Sequence, residues 1–167
     1  MLGTMPYLRL TPGRIKAIQE YYDEEFAHCY GCGRKNTEGH HLKTYLKDDV
    51  TISKFTPEDY HIAIEGFVYG GLLASLIDCH GTGSASIFYA RENSIAVKNY
   101  NAPRFVTGSL TVKFLKPTPL HKELIIEGEL EEITAKKVIT KIEVFVDDIV
   151  CVTGEVTAVL LPDDFGK

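Results

Sequence analysis

Asp78 is the single acid between Gly66 and Ala90, a stretch that contains no Lys or Arg. An ionised carboxylate among apolar neighbours is costly without a partner. Such an acid either bonds a neighbouring backbone group or serves as base or nucleophile in a cleft. At the head of the same stretch stands Tyr69-Gly70-Gly71. The first amides of a helix have no intrahelical acceptor, and with the helix dipole they suit a developing oxyanion. Glycine lets a ligand come close to that backbone. A plain tight turn would use the same pair of glycines. Along one helix Gly70 and Asp78 lie about 12 Å apart, too far to share one reacting carbonyl. Two antiparallel copies related by a two-fold axis would bring Asp78 of one copy beside Gly70 of the other, which implies an isologous dimer with two equivalent sites.

Cys29-x-x-Cys32 with His28, His40 and His41 invites a zinc or redox reading. Cys79 and Cys151 stand alone, so a second ligand pair is missing, and no βαβ unit is visible to carry a redox Cys-x-x-Cys. The expectation is a glycine-rich structural loop without metal. His80 is two residues from Asp78 and points to another side of a helix, which makes it a core or interface histidine. Ser75 lacks a Gly-x-Ser-x-Gly elbow, and Gly81-x-Gly83 lacks the Lys-Ser/Thr of a phosphate loop.

These residues need elements to hold them. GGLLASLIDCHGTGSASIFYA (70–90) has helical character. Leu72, Leu73, Leu76 and Ile77 supply an apolar side to bury on a sheet, while Gly71, Ser75, Asp78 and Thr82 form a small polar stripe that would face a second copy. Thr11-Pro12 followed by GRIKAIQEYYDEEF reads as a capped helix. Leu42–Lys47 and Val50–Phe55 read as a hairpin about Asp48-Asp49, and from about Ser94 onward the pattern has period two. Val138–Val146 and Ile149–Leu161 pair through Asp147-Asp148. Strands joined mostly by turns around one central helix imply an antiparallel sheet and the α+β class.

Lys+Arg 18 against Asp+Glu 23 leaves a net charge of −5, without the dense basic face that nucleic-acid binding needs. No apolar stretch approaches the roughly 20 residues of a membrane span. The N-terminus shows no secretory signal, so reduced thiols and a cytoplasmic location are expected.

The segments GFVYGGLLASLID (66–78) and FVTGSLTVKFLKPTPL (105–120) resemble the hot-dog-fold thioesterase superfamily, in particular acyl-CoA thioesterases of the phenylacetate-pathway (PaaI) type. The resemblance runs from about Cys29 to Leu161. It implies a long antiparallel sheet wrapped around a central helix, with residues 1–27 as a helical extension and 28–167 as the domain. It further implies hydrolysis of an acyl-CoA thioester in a homodimer, with a dimer of dimers as the larger assembly. No cofactor is implied, since coenzyme A enters as part of the substrate. By position, Asp78 falls on the catalytic carboxylate, Gly70 on the amide that polarises the thioester carbonyl, and Thr107 on the Ser/Thr that places water or substrate. Tyr69 stands where the family has histidine, and Ala63 where some members have asparagine. His61 is the candidate substitute contact. Gly71, Ser75 and Thr82 would line the acyl seam, with Pro117 and Lys113 or Lys116 toward the pantetheine and phosphates. A non-catalytic acyl-CoA or acyl-carrier binding module is the alternative. A dehydratase of the same fold would need the histidine that Tyr69 replaces.

Overall fold

The computed structural model describes residues 16–162, Asp164 and Phe165. Eight strands surround one long helix. In chain order they are β1 (Tyr45–Lys47), β2 (Val50–Phe55), β3 (Ile62–Ile64), β4 (Phe67–Val68), α1 (Gly70–Glu92), β5 (Phe105–Phe114), β6 (Leu124–Ile133), β7 (Lys137–Val146) and β8 (Ile149–Leu160). Six strands form one antiparallel sheet in the order β1-β2-β6-β7-β8-β5, and β3 with β4 makes a separate ribbon. Asp147 and Asp148 both take positive φ, as a two-residue turn matched to strand twist requires.

The expected apolar side of α1 is where the core sits: Leu72, Leu73, Leu76 and Ile77 are all buried. The helix lies close on the sheet because small residues allow it. A Cβ on Gly154 would come within 2.6 Å of Ile77, and one on Gly81 within 2.5 Å of Val156. Beyond Cys79 the helix is buried almost all round. Its second side is covered by residues 17–44 of the same chain, with Ile18 and Tyr22 against Ile87 and Gly31 against Cys79. Part of the small-residue side, expected to face a second copy, therefore receives the chain's own loop instead.

The N-terminal helix is a correction. Its first residues, through 15, lie outside those described. From Ile18 the chain makes two short 3-10 turns, Ile18–Tyr21 and Glu24–Phe26. Tertiary partners take the groups a helix would have used. Ile18 N–H donates to the Thr44 carbonyl at 3.0 Å, and the Gln19 amide accepts from Thr44 N–H at 2.9 Å and donates to its hydroxyl at 3.0 Å. Tyr22 is then extended and buried.

At the far edge of the sheet, β5 runs beside α1. Its pairing with β8 slips at Gly108: Thr107 faces Ala158 and Ser109 faces Thr157. One extra residue in a strand reverses the side on which later side chains fall. This bulge lets Thr107 and, further along, Val112 and Phe114 all point toward the helix. Thr107 bonds Asp78, Val112 packs on the core, and the Phe114 ring closes on Gly70.

Candidate active site

The start of α1 is an open amide terminus. Tyr69 is the residue before it, in extended conformation with no side-chain cap. Leu72 and Leu73 N–H both turn to the Tyr69 carbonyl, at 3.1 and 3.5 Å, while Gly70 and Gly71 N–H have no acceptor among the described residues. The Tyr69 ring folds back over this turn, and a Cβ on Gly71 would fall 2.1 Å from the Tyr69 hydroxyl oxygen. Tyr69 as a residue is 56% exposed, beside the two free amides. A Cβ on Gly70 would meet the Phe114 ring at 3.3 Å. Aromatic side chains thus close on both glycines.

Two hollows flank this terminus. One, of about 560 Å³, is lined by Tyr69, Gly71 and Ser75 on one side and by Tyr30, His40 and His61 on the other. The second, of about 500 Å³ and mostly apolar, lies between Gly70, Phe114 and the Lys116-Pro117 turn. The β3–β4 ribbon and the segment after β5 meet here, with Val68 N–H donating to the Thr118 carbonyl at 2.8 Å.

His61 is fixed from two directions. Its Nδ1 accepts the Glu58 N–H at 2.9 Å, and its carbonyl accepts the Tyr69 N–H at 2.8 Å. An accepting Nδ1 leaves the proton of the neutral ring on Nε2. Desolvation lowers the pKa of both His61 and His40, whose rings stand 5.5 Å apart against Phe55. The site thus holds neutral imidazoles. In the sequence His40 stands out only beside the cysteine loop, and Tyr30 and Phe55 carry no motif; they reach the hollow because the 28–44 loop and β2 fold over the helix start.

Asp78 lies two turns along α1, half-buried, and accepts a hydrogen bond from the Thr107 hydroxyl. This pair joins the helix to the exposed edge strand and belongs to neither hollow. The expected residues accordingly fall into groups. Tyr69, Gly71, His61 and Ser75 share one hollow, Gly70, Lys116 and Pro117 the other, and Asp78 with Thr107 stands apart. Thr82 is buried, and its hydroxyl bonds back to the Asp78 and Cys79 carbonyls at 3.3 and 3.2 Å. Lys113 lies on the outer face of the sheet, in a groove with Glu127, Lys141 and Glu155.

Beside Asp78, Cys79 reaches the 29–32 loop. Its sulfur is 3.7 Å from that of Cys29, and all four cysteines are free thiols. Hydrogen bonds from the Cys32 and Cys79 thiols and from the Gly31 and Cys32 amides hold the Cys29 thiol far below its ordinary pKa, while the two donor thiols are pushed up.

Residues 65–153, just over half of the chain, match the thioesterase superfamily, and the chain belongs to that superfamily. A thioesterase superfamily protein of Shewanella loihica is 41% identical, with a TM-score of 0.63 over 83% of this chain and 97% of that one. The PaaI protein from the phenylacetic acid degradation operon of E. coli shares the hot-dog fold at 12% identity, with a TM-score of 0.60 over 74% and 81% of the two chains. An acyl-coenzyme A thioesterase of Xenopus laevis, THEM4, is 29% identical over 107 residues, 64% of this chain. The match spans 42% of that relative, less than half its length. No helix among the described residues is long and apolar enough to cross a membrane.

Proposed function

We propose that this chain is an acyl-CoA thioesterase whose site is completed by a second copy. The observation that carries the reading is the separation on α1. The uncapped Gly70 and Gly71 amides are at its start, and the Asp78–Thr107 pair lies two turns along, on the side open at the β5 edge. A two-fold partner would set its Asp78 opposite these amides. The Gly70 and Gly71 N–H groups would receive the thioester oxygen, with the Tyr69 hydroxyl and the His61 Nε2–H beside it. Asp78, oriented by Thr107, would take a proton from water as the water oxygen adds to the carbonyl carbon. The C–S bond then breaks, and the CoA sulfur leaves with a proton. Lys116 and Pro117 border the hollow that would receive the pantetheine, and the apolar edge would hold the acyl chain. Losing one oxyanion donor typically costs 10²–10³ in rate.

The test is release of CoA, followed chromatographically, across short-chain, aryl and long-chain acyl-CoAs. Asp78→Asn is expected to lower kcat by at least about 10² without changing the circular dichroism spectrum. A single turnover in ¹⁸O water should label the product acid and leave Asp78 unlabelled; label in the Asp78 peptide would make it the nucleophile. One feature favours a second reading, a non-catalytic acyl-CoA binding protein: Tyr69 carries a phenol at the position where the resemblance places a histidine. Binding of every acyl-CoA with no turnover of any would establish that reading instead.

A further inference from the structure

The Cys29-x-x-Cys32 pair lacks a partner pair in sequence, but the fold supplies another sulfur from the central helix. The Sγ atoms of Cys29, Cys32 and Cys79 all lie within 4.8 Å of one another, with Cys29 and Cys79 at 3.7 Å. At a metal–sulfur distance near 2.3 Å, two sulfurs on a tetrahedral zinc ion are about 3.8 Å apart. A disulfide would join two of these sulfurs and leave the third unused. We propose that Cys29, Cys32 and Cys79 form a three-thiolate binding site for a thiophilic divalent ion, zinc above all, with water or a small ligand as fourth partner.

The loop is built to bring the sulfurs together. A Cβ on Gly31 would sit 2.2 Å from the Cys79 sulfur, so any other residue there would force the loop off the helix. A Cβ on Gly33 would fall 2.4 Å from the Cys29 nitrogen, while the Gly33 N–H donates to the Cys29 carbonyl at 2.7 Å to close the turn. Charge fits as well. Three thiolates on a divalent ion leave one net negative charge. The Arg104 guanidinium, partly buried and 4.6 Å from the Tyr22 ring centre, interacts electrostatically with all three cysteines. It donates to the Phe105 carbonyl, and no carboxylate pairs with it among the described residues. A monovalent ion would leave two negative charges against this one cation.

The experiment measures metal content and spectrum, so its outcome is independent of thioester turnover. Full-length protein purified in reductant, stripped with chelator and reconstituted with zinc should hold about one ion per chain after desalting. Cobalt should give the intense thiolate-to-metal absorption of a sulfur-rich site. Cys29→Ser and Cys79→Ser should each lose that absorption and weaken zinc binding by more than about a hundredfold, beyond the usual loss for an outer-shell partner. Cys151→Ser, away from the cluster, should keep both. Retention of less than about a tenth of an ion by the reconstituted wild type would overturn the proposal. A cobalt spectrum indifferent to Cys29→Ser, which alters the half-exposed and most tolerant of the three positions, would do the same.

Discussion

His80 and Asp78 sit two residues apart and have opposite surroundings. His80 is fully buried on the sheet side, held by the Ser53 hydroxyl at 2.7 Å on Nδ1 and the Thr51 hydroxyl at 3.1 Å on Nε2. Desolvation depresses its pKa to about 3. An unfolded histidine takes up a proton near pH 6.5, so between about 6.5 and 3 acid favours the unfolded chain. Stability from this residue is complete above pH 6.5 and is lost as pH falls toward 3. Urea titrations across pH should show a loss of about 1 kcal/mol per pH unit in that window, with His40 and His61 acting in the same direction. His80→Gln should lower stability at neutral pH and flatten the slope. An unchanged slope would assign the acid sensitivity to other groups.

At the scale of the element, β5 matters through its bulge. An unbroken alternation from Phe105 would place Thr107 toward α1 and Val112 and Phe114 away from it. The slip at Gly108 keeps all of them on the helix side. Deleting Gly108 should therefore separate the two ends of the strand. Either Thr107 leaves Asp78 or Phe114 leaves Gly70, and thioester hydrolysis should fall more than about tenfold. A deletion variant with native activity would show that the β5 register does not matter to the site. α1 itself has three sides with three uses: sheet on one, the chain's own 17–44 segment on another, and the Asp78 side left beside the edge strand.

For the whole molecule that edge is decisive. β5 is ten residues long, and Thr107 to Thr111 are exposed along it, with Leu110 and Phe114 as large apolar residues in the open. A long uncovered edge offers unpaired backbone groups to another strand. Joining two copies there would extend the sheet and cover the Asp78 side of each helix. Leu110→Lys should convert a dimer to a monomer by light scattering and abolish hydrolysis, although Asp78, Thr107 and Gly70 are untouched. A monomeric wild type with full activity would exclude a shared site.

Local rules were enough for the apolar side of α1, the helix start at Gly70 and the Asp147-Asp148 turn, because spacing and turn chemistry act within a few residues. They also marked Asp78, since an acid in an uncharged stretch is legible without coordinates. The N-terminal helix failed because Thr44, 25 residues away from Gln19, claimed its hydrogen bonds. The approach of Cys79 to the 29–32 loop was not legible, because that sulfur arrives from a helix 50 residues on from Cys29. Hydrophobic period and capping are properties of neighbours in the chain, whereas the hollow of His40, His61 and Tyr69 and the meeting of three thiols depend on which distant segments the core draws together. Only the closed tertiary structure decides that, because burial of the shared apolar surface sets those distances.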